Sequence, residues 1–230
     1  MCGRQPHTSM HIDGSTRIVG VFGAPITHTA SPAMHNAAFE ALGMNWAYVP
    51  FHVEAANLQA ALTGMRDMGM AGINLTVPHK VPAVGLVDNI DSEVRQIGAL
   101  NTIVVEDGKL RGFNTDAHGF AAALQEEFNL SLQGLRVVVL GAGGAARAIA
   151  VKCALEGATE IIIANRTVGN TAPIVSQITP RLTKCRGIGL DRPALARAIA
   201  GANLVVNATS VGLRDGDTLR LEANLFSSEQ

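Results

Sequence analysis

The sequence predicts an α/β fold of buried, largely parallel strands alternating with helices. Three observations carry that prediction. Of 230 residues, 47% are hydrophobic but only 4% aromatic and 16% charged, so a large core must be built from Ala, Val, Ile and Leu. Helix-covered parallel sheets have such cores, and aromatic-rich β-sandwiches do not. Short apolar runs recur between segments of helical length and periodicity, the pattern of βαβ units with right-handed crossovers. Glycine is abundant at 24 copies, and one cluster follows an apolar run directly.

Taken in order, the N-terminal stretch lacks the apolar run of a signal peptide and reads as a disordered extension over residues 1–16. Ile18–Phe22 reads as the first strand. In Thr27-His28-Thr29-Ala30-Ser31-Pro32, Pro32 suits a first helical turn and Ser31 its cap, leading into a helix over Met34–Leu42. Tyr48–Phe51 and Ile73–Val77 read as strands around a helix at Ala55–Met68. Ile103–Val105 and Lys109–Phe113 flank Glu106-Asp107-Gly108, an acidic-Gly turn that predicts a β-hairpin, which a purely doubly wound sheet does not need. A helix from about Asp116 to Glu127 then leads to the strand Arg136–Leu140, and Ile161–Ala164 and Leu204–Val206 follow as strands. The break near residue 115 divides an α/β unit over 17–115 from a linking helix and second unit over 116–230. A total of 230 residues is long for one domain and short for two complete ones.

Composition also excludes partners. With 18 basic and 19 acidic residues the net charge is −1, which argues against nucleic acid or an anionic membrane as partner. No apolar run reaches the roughly 18–20 residues of a membrane span. Cys2, Cys153 and Cys185 show no pairing or CxxC pattern, so they read as reduced thiols of a cytoplasmic protein. The seven histidines, His28, His35 and His79 among them, form no HxH or HxxxH pair on a plausible helix, and no metal is expected.

Val137-Val138-Val139-Leu140-Gly141-Ala142-Gly143-Gly144-Ala145-Ala146-Arg147 is a strand, a glycine turn and a helix start, in the order a dinucleotide site requires. The first glycine makes the turn, the second admits a pyrophosphate, and small residues let the helix pack close to the sheet. Helix amides then face the phosphates. About 20 residues on, an acidic residue would take the ribose hydroxyls of NAD. Here the strand ends in Asn165-Arg166-Thr167, with no carboxylate. An arginine backed by a hydroxyl and an amide suits a 2′-phosphate, so a Rossmann-like domain binding NADP is favoured over one binding NAD.

In the first unit, three polar clusters stand at strand ends. Hydroxyls of Thr29 and Ser31 at a helix start suit a carboxylate; Asn74, Thr76 and Lys80 close a strand; Asn101 and Asp116 add an amide and a carboxylate that is equally placed to cap a helix. Together they offer a proton relay and hydrogen bonds to orient a polyol beside a nicotinamide.

The set Pro25-Ile26, His28 to Asn36, Asn74 to Lys80, Gly98 to Thr102, Gly112 to Asp116, Gly141 to Ala145, Asn165-Arg166-Thr167 and Asn207-Ala208-Thr209-Ser210 closely resembles the shikimate dehydrogenase family, in family order from about residue 17 to 213. The resemblance implies a reversible NADP-linked reduction of 3-dehydroshikimate to shikimate, on the route to chorismate and aromatic amino acids. It implies a cleft between a substrate domain and a Rossmann-like domain, in a monomer or homodimer. By similarity, Lys80 and Asp116 are the catalytic pair. Thr29 and Ser31 hold the substrate carboxylate, and Asn74, Thr76 and Asn101 complete the substrate site. Gly141, Ala142, Gly143, Gly144, Ala145, Asn165, Arg166, Thr167, Thr209 and Ser210 hold the cofactor. Two departures stand out. Thr29 replaces a usual serine, bearing on the choice among shikimate, quinate and amino-substituted relatives. Asn170 replaces a usual basic residue, so NAD remains possible unless Lys184 or Arg186 compensates. The family also continues with a substrate-touching tyrosine and a glutamine on a returning helix, whereas here the only tyrosine is Tyr48 and the last glutamine after Gln177 is Gln230. By resemblance the chain therefore reads as C-terminally shortened. The alternatives are an NAD-linked quinate/shikimate dehydrogenase of catabolism and a catalytically weak or silent nucleotide-binding relative.

Overall fold

The computed structural model describes residues 12–181, 183–211, 221, 225 and 226. Residues 1–11 of the expected N-terminal extension lie outside that range, as does most of the chain beyond Val211, where the expected C-terminal shortfall falls. The last part of the extension is not loose: Asp13 Oδ1 accepts bonds from Ser15 N at 2.8 Å and Asn45 Nδ2 at 3.2 Å, closing a turn against the chain ahead of the second strand.

The first sheet has six strands. They are β1 (Arg17–Gly23), β2 (Trp46–His52), β3 (Gly72–Leu75), β4 (Asn89–Ile90), β5 (Thr102–Glu106) and β6 (Lys109–Phe113), in spatial order β2-β1-β3-β5-β6-β4. The pairs β1/β2 and β1/β3 are parallel, but β3/β5 and β5/β6 are antiparallel, so this sheet is mixed. The hairpin predicted between β5 and β6 is present. Asp107 (φ 51°) and Gly108 (φ 71°) both take left-handed backbone, the conformation a two-residue type I′ turn demands.

Helices α1 (Ser31–Ala41), α2 (Leu58–Asp67) and α3 (Ser92–Ile97) serve this sheet. The core lies on the α2 side, around Phe22, Leu62, Met65, Ile73, Leu100 and Ile103. By contrast α1 buries no side chain completely. It is clasped to β2 by Asn36, whose Nδ2 donates to Tyr48 O at 3.0 Å and whose Oδ1 accepts from Tyr48 N at 2.8 Å.

After the linking helix α4 (Asp116–Phe128) comes a four-stranded parallel sheet of β7 (Arg136–Leu140), β8 (Glu160–Ala164), β9 (Lys184–Ile188) and β10 (Leu204–Asn207), ordered β10-β7-β8-β9. Helices α5 (Gly144–Leu155), α6 (Ala172–Ile178) and α7 (Arg192–Ala200) cover it. The side chains of Val137, Val138, Val139 and Leu140 are all fully buried, as a strand covered on both faces requires. Alanines 146, 148, 150 and 154 are buried along α5, and their small side chains bring the helix close to the sheet. Ile97 and Ala99, from the end of α3, are buried in this second core together with Ala117 of α4.

Candidate active site

Both halves of the site stand at strand ends. Beyond β3, the chain passes through Thr76, Val77 and Pro78 to His79 and Lys80. His79 N donates to Thr76 O at 2.8 Å, and the fully buried His79 ring lies 2.8 Å from Val53 O through Nε2, which fixes this loop to the end of β2. The loop aims Lys80 across the cleft. Lys80 Nζ donates to Asp116 Oδ2 at 2.7 Å, with the two side chains only 16% and 26% exposed. Coulomb attraction is weakly screened in such a setting, so the ammonium is held in place rather than left mobile.

Asp116 is not the cap of α4. Its carboxylate points at Lys80, and the Ala117 amide donates instead to Asn114 Oδ1 at 3.2 Å. Asn101 Nδ2 donates to Asp116 Oδ1 at 2.8 Å and to Thr115 Oγ1 at 2.9 Å, while its Oδ1 accepts from Thr115 N at 2.9 Å. The dyad is thus a triad, in which the amide orients the carboxylate that orients the lysine. Asn74 is similarly tied: its Oδ1 accepts from Tyr48 Oη at 2.8 Å, and its Nδ2 donates to Thr102 Oγ1 at 3.0 Å.

Ser31 does not cap α1. The N-cap is Ala30, which makes no side-chain cap bond, and Ser31 opens the helix with its own amide donating to Thr29 Oγ1 at 3.3 Å. The cause is local: Thr29 lies two residues before Ser31 and accepts that amide in a short turn. Both hydroxyls therefore stay at the mouth of a helix whose first turn carries no acidic residue. Thr76 joins them, its methyl group lying where a side chain on Gly23 would need to be.

Tyr48 is a site residue that pattern reading passed over. It is 5% exposed, bonds Asn74, and burial pushes its phenol up to about 12 despite a hydrogen bond with Ser31. An aromatic residue in a strand reads as core, and nothing local places its hydroxyl on Asn74. His35 stacks on its ring at 4.3 Å.

The second half is the glycine turn. Gly141 has φ +109°, and a Cβ there would come within 2.7 Å of Ala208 O, so only glycine lets the turn pass the β10 loop that carries Thr209 and Ser210. Gly143 has open space where its Cβ would stand, and as N-cap of the twelve-residue α5 it leaves the first amides without a side-chain partner. Unpaired amides over an open approach are what a pyrophosphate needs. Ala142 and Ala145 complete the turn without bulk. Asn165 and the exposed Arg166 and Thr167 stand at the end of β8, where Asn165 Nδ2 closes the loop on Thr167 O at 2.8 Å.

Lys184 and Arg186 do not reach that loop. Lys184 pairs in register with Glu160 at the opposite end of β8, and Arg186 points back to Glu160 Oε1 at 3.4 Å. The four steps from Lys184 to Ile188 cover roughly 13 Å of strand, too far for Lys184 to stand in for a cation at Asn170, and Arg186 is turned to Glu160 instead. Among the described residues no group of three or more His, Cys, Asp or Glu converges as a metal site, and no helix is long and apolar enough to cross a membrane.

The two halves meet. A Cβ on Gly144 would lie 2.8 Å from Lys80 Cβ, so the first turn of α5 rests on the stem of that lysine. Residues 21–103 match the family model described as the shikimate dehydrogenase substrate binding domain, and residues 122–213 match that for shikimate / quinate 5-dehydrogenase. The shikimate dehydrogenase (NADP(+)) of Methanopyrus kandleri is 45% identical over 206 residues, which cover 89% of this chain and 71% of that relative. Among solved structures, shikimate 5-dehydrogenase of Listeria monocytogenes, in complex with shikimate and NAD, has a TM-score of 0.82 at 35% identity, covering 95% of this chain and 78% of that one. The Thermus thermophilus enzyme in complex with NADP(H) and shikimate has a TM-score of 0.78 at 36% identity, covering 92% and 75%. With 45% identity across most of its length and the paired lysine and aspartate facing a dinucleotide turn, the chain belongs to the shikimate dehydrogenase family.

Proposed function

We propose that the protein catalyses the reversible NADP-linked reduction of 3-dehydroshikimate to shikimate, an oxidoreductase acting on a CH–OH group, with Lys80 and Asp116 as its proton relay. The observation that carries this reading is the 2.7 Å Lys80–Asp116 contact directly beside the glycine turn. The nicotinamide supplies the hydride when bound. As negative charge grows on the carbonyl oxygen, the Lys80 ammonium stabilises it and delivers a proton, and Asp116 holds the ammonium on target. In the oxidative direction the neutral amine accepts the hydroxyl proton.

Thr29 and Ser31 receive the substrate carboxylate. Because Thr29 Oγ1 already accepts the Ser31 amide, its own proton is left to donate to an anion. Thr76, Asn74 and Asn101 define the ring pocket, with Asn101 also steering Asp116. Gly141 to Ala145, Thr209 and Ser210 border the pyrophosphate, and Asn165, Arg166 and Thr167 take the adenosine 2′-phosphate. Residues 17–115 form the substrate domain, and 116–230 the linking helix and cofactor domain. The near-neutral charge and the lack of a pairing pattern among Cys2, Cys153 and Cys185 support a cytoplasmic protein acting on a free small molecule, and a monomer or homodimer is proposed from the family resemblance alone.

Absorbance at 340 nm, followed with shikimate and either cofactor, tests this. Wild-type protein should reduce NADP in a shikimate-dependent reaction. Lys80→Ala should lower kcat by about 100- to 10,000-fold, the usual worth of a general acid, with shikimate binding changed far less. Unchanged turnover in that variant sinks the relay, and greater efficiency with NAD than with NADP reassigns the enzyme to NAD-linked oxidation.

A further inference from the structure

The glycine turn does more than admit a cofactor. Gly144 and Arg147, three residues apart, share one face of α5, and both meet the substrate domain, Gly144 at Lys80 and Arg147 at Gly98. At Gly144 the helix backbone lies against the Lys80 stem. A Cβ there would stand 2.8 Å from Lys80 Cβ, closer than real Cβ contacts come, with Cδ at 3.2 Å and Cγ at 3.4 Å beside it. Gly143, the neighbouring glycine, has nothing within 4 Å of the same point.

One turn on, the Arg147 guanidinium lies over Gly98, the left-handed C-cap of α3, with Nη1 3.2 Å from where a Cβ would be. Arg147 Nη1 donates to Gln177 Oε1 at 2.9 Å, and Gln177 Nε2 donates to Gln96 O. Arg147 Nε is buried without a partner, so this side chain is held by packing as much as by hydrogen bonds. Gly98 begins the segment that braces the relay. Leu100 N donates to Lys80 O at 2.8 Å, and Asn101 Nδ2 donates to Asp116 Oδ1 at 2.8 Å. Ile97 and Ala99, on either side of Gly98, are buried in the core that α5 shares.

We propose that Gly144 and Arg147 are positioning residues, through which the cofactor helix sets the Lys80–Asp116 relay: Gly144 by seating the lysine stem, Arg147 by pinning the α3 end that braces Lys80 and Asp116. The physical basis is contact without slack. Close-packed side chains transmit displacement, and a methyl group at Gly144 has no space to occupy unless Lys80 moves. Glycine at 144 is then a requirement of the lysine as well as of the phosphate.

The proposal rests on the functional reading only for its kinetic test, so a second readout is independent of turnover. Competitive acetylation of lysines with acetic anhydride, read by mass spectrometry, reports access to the Lys80 amine. Gly144→Ala should raise Lys80 labelling at least threefold, with Lys109 unchanged as internal reference. Arg147→Lys, which keeps the charge but loses the planar fork, should act in the same direction and covers the case in which Gly144→Ala does not fold. In shikimate oxidation both variants should lose at least tenfold in kcat and shift the pH at which kcat is half-maximal. Gly143→Ala should instead raise the KM for NADP and leave that pH in place. Wild-type labelling of Lys80 in both variants overturns the proposal even if the protein turns over shikimate, and raised labelling in a protein that turns over no shikimate overturns the functional reading alone.

Discussion

His79 has no exposed surface, and while its Nε2 meets Val53 O at 2.8 Å, its Nδ1 is buried without a partner. A neutral ring that donates through Nε2 fits this site. A charged one does not, because burial disfavours the cation and holds its pKa below the ordinary 6.5. The unfolded chain therefore binds more protons than the folded one below about pH 6.5, and stability falls as pH falls through that value. Thermal midpoints from pH 7.5 down to 5.5 should drop in the wild type, and His79→Phe should flatten the drop even if it lowers stability overall. A slope equal in both would show that another group titrates. The single tyrosine gives a second case. Tyr48→Phe leaves Asn74 Oδ1 without its donor, a loss of roughly 1–3 kcal/mol in urea unfolding. Neither partnership was legible from the sequence, where His79 is one of seven dispersed histidines and Tyr48 lies 26 residues from Asn74.

At the scale of elements, strength of local signal and strength of burial diverge. The β5–β6 hairpin was legible because its turn chemistry is local: Asp107 and Gly108 tolerate the positive φ that joins two short strands. β9 was not, since Lys184-Cys185-Arg186-Gly187-Ile188 shows no apolar run, and it is a strand through its register against β8 at the sheet edge. The same holds for β4, only Asn89–Ile90 in length, which pairs with β6. Helix α1 was expected from periodicity, yet with no fully buried side chain it is held by the Asn36 clasp together with His35 on Tyr48 and Phe39 against Trp46. Asn36→Ala removes both bonds to Tyr48, so it should cost about 1–3 kcal/mol. Because α1 carries Ser31, proposed above to receive the substrate carboxylate, the KM for shikimate should rise more than kcat falls; equal effects on both would count against that role.

At the scale of the whole molecule, all four strands of the second sheet are parallel, so the glycine turn, the Arg166 loop and the Thr209 loop gather at their shared carboxyl ends, where α/β sheets bind ligands. The first sheet brings Lys80 and Asn101 to the same cleft by a different route, through the antiparallel pairing of β3 with β5. With Asn170 in place of a cation, Lys184 at the far end of β8 and Arg186 turned to Glu160, the proposed function rests discrimination for the 2′-phosphate on Arg166. Arg166→Ala should cut the NADP-to-NAD ratio of kcat/KM at least tenfold through the NADP value, measured by steady-state kinetics. NADP should also stabilise the folded protein by about 2.7 kcal/mol at a hundred times its Kd, seen as a concentration-dependent thermal midpoint that Arg166→Ala weakens.

What the sequence determined by itself was whatever is encoded over a few residues. Apolar runs and helical periodicity marked most of the elements, glycine and proline marked the turns, and the strand–glycine–helix order marked the dinucleotide site. These depend on local backbone preference and on a repeat of two or 3.6 residues, which are set by neighbours in the sequence. Tertiary structure decided what depends on pairing across distance: the mixed order of the first sheet, β9 as an edge strand, and the carboxylate of Asp116 turned from a helix cap to Lys80, 36 residues away. It also decided the contact of Gly144 with the Lys80 stem. A side chain's hydrogen-bond partner is chosen by which groups packing leaves near it and out of water, and that choice is made only when the two sheets close on their shared cleft.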